Sequence, residues 1–329
     1  MKTALAAAGV SVTGEASDGQ SAVRLNRSLL PDLIIMDFNM PIMNGIDATA
    51  AIMADRPAPV FVFSNEMDAK LAFRAIQAGA VDVAAKPDID QLGNPVYAAA
   101  FVAKLKATAR TFSLRGRPGS AARGATGAGA PPLPQPAGDK REVEAVVIGA
   151  STGGPAAVRE LLCHLPRDFP VGIAIVQHIE ERFDAGFAEW LDGESELTVR
   201  LARAGDMFRA GEVLVAPGGS HLVCRGRLLQ LTDEPPVQSQ RPSVDRLFES
   251  AAASYRDRLI AILLTGMGAD GADGCVKVKN AGGLTLVQDE ASSLIFGMPK
   301  EAIVRGGASR VLDLREMPFA LLAAVGRHG

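Results

Sequence analysis

Cysteine, histidine and aromatic side chains are scarce in this chain of 329 residues, and each scarcity narrows the chemistry. The three cysteines, Cys163, Cys224 and Cys275, stand far apart with no Cys-x-x-Cys. Neither a zinc knuckle nor a disulfide framework can be drawn from them, and a reducing cytoplasm fits best. Any reaction that needs an imidazole must choose among His164, His178, His221 and His328. No apolar run approaches the roughly 18 residues that span a bilayer, so no membrane insertion is expected. Residues 1–9 superficially imitate a short export signal. The plainer reading is the end of a helix over residues 2–8, stopped by Gly9 and followed by a strand over residues 10–16. Neither sign of charge prevails: 34 Lys+Arg against 37 Asp+Glu leave a net charge of −3. That balance supplies no basic field for nucleic acid or an anionic membrane. What is present is ordinary globular material, 48% hydrophobic and 22% charged, with 34 Gly and 20 Pro.

At about 150 residues per domain the length suits two domains, and the composition shows where they part. Residues 111–141 lose apolar periodicity and turn into Gly, Ala, Pro and Arg, which reads as a flexible linker. Two globular segments remain, residues 1–110 and 142–329. The first alternates apolar runs at 32–36, 60–63 and 81–85 with a helical stretch at 69–78. The second has runs at 145–148, 171–176, 212–216 and 259–264, interleaved with a helical pattern at 244–255. Strand-helix alternation at this spacing predicts α/β architecture with parallel sheets in both segments.

The second segment carries a catalytic-looking constellation. The run Val146-Val147-Ile148 leads directly into Gly149-Ala150-Ser151-Thr152-Gly153-Gly154-Pro155, and residues 156–165 then show helical spacing. A serine in Gly-x-Ser-x-Gly on a strand-to-helix turn has small neighbours that permit tight backbone geometry, and helix N–H groups nearby favour negative charge. A glycine-rich ligand loop is the alternative at this point and stays open. It is neither a Walker loop, which needs Gly-Lys-Ser/Thr, nor the Gly-x-Gly-x-x-Gly of dinucleotide folds.

A nucleophilic serine needs a base. His328 is the penultimate residue, His164 lies beyond the helix start, and His221 follows Pro217-Gly218-Gly219-Ser220 in what reads as a turn at the surface or the substrate edge. His178 instead ends the apolar strand over 171–177. The carboxylate to orient it is offered by Asp270, in Thr265-Gly266-Met267-Gly268-Ala269-Asp270-Gly271 after the strand at 259–264. A calcium loop at 270–274 lacks the alternating Asp pattern and the closing Glu. In open parallel sheets the ligand crevice lies outside the carboxyl ends of the strands, so Ser151, His178 and Asp270 are expected on one edge. Ser151 would attack an ester or amide carbonyl, His178 would carry the proton and Asp270 would fix the imidazole. Backbone N–H groups of the two glycine-rich turns, Met267 included, would hold the oxyanion. This chemistry asks for no cofactor.

With these residues in hand the chain resembles the receiver-regulated protein-glutamate methylesterases of bacterial chemotaxis, the CheB family. The resemblance rests on Gly149 through Pro155, Gln177-His178, Arg241-Pro242-Ser243-Val244-Asp245-Arg246-Leu247-Phe248-Glu249-Ser250, Leu264 through Ala272, and Gly297-Met298-Pro299, in that order. It implies a doubly wound, Rossmann-like parallel-sheet catalytic domain that hydrolyses glutamate methyl esters on the cytoplasmic helices of methyl-accepting chemoreceptors and releases methanol. In some members it also implies deamidation of receptor glutamines. The triad carries over as Ser151, His178 and Asp270, with Thr152 and Met267 lining the site and Arg241 facing acidic receptor surface.

The first segment resembles a response-regulator receiver of flavodoxin-like fold. Residues 33–45 match the phosphoacceptor strand and loop, with Asp37 as acceptor, Ser64 as switch hydroxyl and Lys86 as the lysine after the last strand. The resemblance implies a chemotaxis histidine kinase as phosphodonor, Mg²⁺ at the phosphorylation site, and a receiver that covers the esterase until phosphorylated. Family receivers begin with a strand ending in an acidic pair that binds Mg²⁺. This sequence starts at what resembles the last turns of the following helix, so the first strand and the metal ligands are missing and impaired phosphorylation is expected. A start codon placed too late or a degenerate receiver would account for that. Val83 stands where receivers often carry an aromatic signalling residue. Two other readings are a catalytically silent adaptor docking on receptors, and a nucleotide switch on the Gly149–Gly154 loop. The second has no lysine or Mg²⁺ carboxylate to support it.

Overall fold

The computed structural model describes residues 5–6, 9–63, 69–87, 89–114 and 142–326. The chain divides into two compact units, Met1–Leu133 and Pro134–Gly329.

The first unit begins with α1 (Gly19–Leu29), where the Asp18 carboxylate accepts the Ser21 N–H as an N-cap. Strand β1 (Ile34–Asp37) follows, then α2 (Gly45–Asp55), capped by the Asn44 side chain on the Asp47 N–H. Strand β2 (Val60–Phe63), α3 (Ala69–Gln77), β3 (Asp82–Ala84), the short α4 (Ile89–Gly93) and α5 (Pro95–Leu114) complete it. The strands are parallel in the order β1-β2-β3. The central one, Val-Phe-Val-Phe, is buried at every position, as a strand covered on both faces must be. The strand expected over residues 10–16 is absent: the segment pairs with no strand among the described residues, so it has no ladder to belong to. Helix α5 runs past Arg110 to Leu114, and residues 115–141, the rest of the expected linker, lie outside the described residues.

The second unit is a seven-stranded sheet. In chain order its elements are β4 (Ala145–Ala150), α6 (Gly154–Leu162), β5 (Ile173–Gln177), α7 (Glu181–Glu194), β6 (Thr198–Leu201) and β7 (Glu212–Val215). An antiparallel hairpin, β8 (His221–Arg225) with β9 (Leu228–Thr232), precedes α8 (Val244–Tyr255). Then come β10 (Leu259–Leu263), α9 (Ala272–Asn280), β11 (Leu284–Gln288), α10 (Met298–Val304), β12 (Arg310–Leu312) and α11 (Met317–Val325). The order β12-β11-β10-β4-β5-β7-β6 is parallel throughout. The three middle strands, β10, β4 and β5, are buried at every residue. Burial of each Val, Leu or Ile there contributes about 1.5–3 kcal/mol, which makes the middle of the sheet a stiff platform. Helix α8 lays Val244, Leu247, Phe248, Ala251, Ala252 and Tyr255 into the core at helical spacing. Strand order reverses beside β4, the first strand, and its loop opens at that switch point.

Candidate active site

Ser151 is the first residue beyond β4. Its N–H donates to the Thr265 carbonyl at 3.0 Å, and its own carbonyl accepts the Gly154 N–H at 2.7 Å, closing the turn into α6. Gly153 takes φ 77°, a left-handed conformation that glycine adopts without strain. At Gly154 a Cβ would stand 2.0 Å from Gln177 Oε1, so the tight turn has no room for a side chain there. The loop after β10 presses on the serine from the other side: a Cβ on Gly266 would come within 2.8 Å of the Ser151 Cβ.

The ladder pairs Ala150 with Gln177, and the His178 N–H donates to the Ala150 carbonyl at 3.0 Å. Ser151 and His178 are therefore the next residues along two neighbouring strands, whose backbones run about 4.8 Å apart. Gln177 ties the two together: its Nε2 donates to the Ser151 carbonyl at 2.8 Å and to the His178 carbonyl at 3.0 Å.

The His178 and Asp270 side chains are 7% and 3% exposed, and Nε2 meets Asp270 Oδ2 at 2.8 Å. Asp270 accepts three further bonds. The Ser243 hydroxyl and the Asp245 N–H donate to Oδ1 at 2.8 and 2.9 Å, and the Val244 N–H donates to Oδ2 at 2.8 Å. The carboxylate thus sits on the positive end of α8. Burial acts to raise its pKa, but the His178 hydrogen bond and charge and the Asp245 and Val244 N–H groups outweigh it and hold the group below its ordinary 3.8. An anionic Asp270 surrounded by donors requires the proton on His178 Nε2. In the neutral tautomer Nδ1 then carries the lone pair, and among the described residues this buried atom has no hydrogen-bond partner.

A second carboxyl, that of Asp245, belongs to the same first turn of α8. Asp245 Oδ1 accepts the Gly274 N–H at 2.7 Å and Oδ2 accepts Gln238 Nε2 at 3.1 Å. Burial pushes it up to about 7, with the Gly274 N–H opposing and the Asp270, Asp273 and Glu249 charges adding to the rise.

Of the other residues singled out in the sequence, Thr152 is buried, its carbonyl accepting the Thr265 hydroxyl at 3.1 Å. Met267 is exposed in the loop between Gly266 and Asp270, and the exposed Arg241 reaches back to the Asp233 and Glu234 carbonyls at 3.4 and 3.5 Å. His221 does not lie in a surface turn: it opens β8 and is fully buried, because the hairpin folds back under α8. His164 holds the Glu160 carbonyl at 2.8 Å, and His328 lies outside the described residues. The buried Cys224 and Cys275 thiols are pushed up by burial, Cys224 to about 12, and so are not reactive thiolates.

The CheB methylesterase family model matches residues 146–321 and the response regulator receiver domain model matches residues 1–96. The chain belongs to the CheB methylesterase family. A protein-glutamate methylesterase/protein-glutamine glutaminase of Anaeromyxobacter dehalogenans is 44% identical to it over 318 residues, covering 95% of this chain and 89% of the relative. A protein of the same name from Symbiobacterium thermophilum is 38% identical over 328 residues, covering 96% and 90%. The crystal structure of the Thermotoga maritima CheB methylesterase catalytic domain, 39% identical, superposes with a TM-score of 0.53 over 54% of this chain and 97% of that one.

In the receiver of this CheB-family chain, Asp37 ends β1 and its Oδ2 lies 2.8 Å from Lys86 Nζ. Gly45 lets the following loop close on this strand end, since a Cβ there would stand 2.4 Å from the Asp37 carbonyl oxygen. Ser64 lies outside the described residues. Among the described residues no three His, Cys, Asp or Glu side chains gather as a metal set.

Sequence reasoning used Gln177, Ser243 and Asp245 only as carriers of the resemblance and placed His221 at the surface or substrate edge, giving none of the four its place around Asp270 and Ser151. The first stood beside the chosen base, and Ser243 precedes a helical pattern, the ordinary signal of an N-cap. Nothing local marked His221.

Proposed function

We propose that this chain is a protein-glutamate methylesterase that hydrolyses glutamate methyl esters on methyl-accepting chemoreceptors through Ser151, His178 and Asp270, and that it acts in the cytoplasm. The observation that carries the assignment is the buried His178–Asp270 bond of 2.8 Å, with Nδ1 unpartnered among the described residues on the residue that follows Gln177 as Ser151 follows its ladder partner Ala150. Ser151 Oγ adds to the ester carbonyl while its proton passes to His178 Nδ1. The imidazolium so formed is stabilised by Asp270, and its proton goes to the departing methanol. Water then attacks the acyl-serine by the same relay and frees the glutamate. Backbone N–H groups around Ser151 and Met267 would hold the oxyanion, and a carboxamide substrate would lose ammonia in place of methanol. Thr152 lines the pocket, and Arg241 at the rim faces acidic receptor surface.

The reading extends to the organisation of the chain: a receiver over 1–110, a linker over 111–141 and the esterase over 142–329. Asp37 is assigned as phosphoacceptor for a chemotaxis histidine kinase, with Ser64 and Lys86 reading the new charge. The test is methanol release from methylated receptor. Ser151→Ala is expected to lower kcat by about 10⁴-fold. A parent protein that binds receptor without turnover would make it an adaptor, and an active Ser151→Ala would move the nucleophile elsewhere.

A further inference from the structure

Two fully or nearly buried histidines lie near Asp270, and the chemistry above uses one of them. The other, His221, spends both ring nitrogens on backbone. Its Nε2 donates to the Pro235 carbonyl at 3.1 Å, and its Nδ1 accepts the Ser243 N–H at 3.1 Å. Ser243, also fully buried, donates its hydroxyl to Asp270 Oδ1 at 2.8 Å. A continuous chain of hydrogen bonds therefore runs from Pro235 through His221, Ser243 and Asp270 to His178.

We infer that His221 is a positioning residue of the esterase site, holding the first turn of α8 so that its donors aim the Asp270 carboxylate at His178. The inference rests on the triad reading given above. Three of the four donors on Asp270 come from Ser243, Val244 and Asp245, so the carboxylate follows any shift of that turn. The segment entering the turn, residues 233–242, is also tied by the Gln238–Asp245 bond of 3.1 Å, by a half-exposed Arg246–Glu234 pair at 2.6 Å and by the Ser220 hydroxyl on Asp233 at 3.2 Å. Long Arg241 contacts of 3.4 and 3.5 Å and a local Val237–Gln240 bridge add to these, and all of them reach the segment through exposed or partly exposed side chains or stay within it. His221 is the buried tie that the β8–β9 hairpin sends to the backbone of Ser243, while α9 holds the Asp245 side chain of the same turn through the Gly274 N–H. A misplacement of about 1 Å at a reacting group can cost about a hundredfold in rate, so a loosened turn would be felt at His178.

The two amide substitutions separate the two ring nitrogens. In His221→Asn the amide oxygen stands where Nδ1 stands and can still accept the Ser243 N–H. In His221→Gln the amide nitrogen stands where Nε2 stands and keeps only the Pro235 bond. On the full chain with methylated receptor as substrate, His221→Gln is expected to lower kcat at least about tenfold with KM within about twofold, and His221→Asn to recover most of that loss. Equal losses in both variants, a loss confined to KM, or a kcat for His221→Gln near that of the parent would each overturn the inference. If His221→Gln does not fold, judged by circular dichroism, His221→Leu takes its place: it keeps bulk and removes both ring-nitrogen bonds, and the same kcat-only loss relative to His221→Asn is expected, while a kcat equal to that of His221→Asn overturns the inference. Ser151→Ala is run alongside: its inactivity with an unimpaired His221→Gln rejects the positioning role alone, whereas its activity rejects the triad.

Discussion

Asp37 and Asp270 are both carboxylates at the carboxyl ends of parallel strands, yet their surroundings differ. The Asp37 side chain is 39% exposed and meets one cation, Lys86, itself 46% exposed. Asp270 is 3% exposed and accepts four hydrogen bonds, three of them from one helix turn. An exposed carboxylate with one exposed partner among the described residues is open to an incoming group. A buried one with every acceptor position filled cannot approach anything, and is suited to holding an imidazole in one orientation. The same residue type, in the last position of β1 and in the loop after β10, is thereby left open in one unit and fully engaged in the other.

The largest effect that would sharpen this contrast is expected from Asp270→Asn. Turnover should fall by about 10⁴-fold because the wrong imidazole tautomer is favoured. The amide would also turn N–H groups toward donors, costing about 1–3 kcal/mol of stability, visible as a lower midpoint in denaturant. Unchanged turnover would break the comparison by showing that another group orients His178.

A subtler test uses the neighbour of Asp270. Asp245 has a folded-state pKa of about 7, above its ordinary 3.8, so the folded protein holds a proton there that the unfolded chain has released. Its contribution to stability is present below pH 3.8 and is lost as pH rises towards about 7. Asp270, shifted downward, works the opposite way: its contribution is present above pH 3.8 and is lost as pH falls through its folded-state value. Urea denaturation of the parent and of Asp245→Asn between pH 4 and 8 should therefore show the variant gaining relative stability as pH rises. A constant difference would mean that Asp245 is not held protonated.

The smallest effect is expected from Lys86→Ala. The pair it forms with Asp37 is exposed on both sides, and such pairs contribute about 0–1 kcal/mol. The thermal midpoint of the receiver should barely move, and a large drop would show that Asp37 is as tightly held as Asp270.

Much of the scaffold was legible in the sequence because its inner strands are continuous apolar runs and α8 has strict helical spacing. β2 and α8 fall at the expected residues, 60–63 and 244–255. Edge strands were not: Thr-Val-Arg-Leu in β6 and Arg-Val-Leu in β12 are short and half-exposed, and no run announces them. The expectation of a strand at 10–16 failed for a related reason, since extended sequence becomes a strand only beside a partner. The choice of Ser151, His178 and Asp270 relied on the Gly-x-Ser-x-Gly turn, on the scarcity of histidine, on the family resemblance and on strand ends, which periodicity marks well. Residues that support them, Gln177, Ser243 and His221, act through carbonyls and N–H groups of distant segments.

The amino-acid order by itself determined two α/β units, the inner strands and the chemical types placed at their ends, because burial and periodicity are local properties of the chain. Tertiary structure alone decided that a histidine following four turn-like residues would be buried under α8, and that Asp270 would sit on that helix's N-terminal donors. Those contacts join residues 25 to 27 positions apart for Asp270 and 22 apart for His221 and Ser243. Hydrogen-bond partners so far apart in sequence are chosen by how sheet, hairpin and helix pack, and no local pattern records that choice.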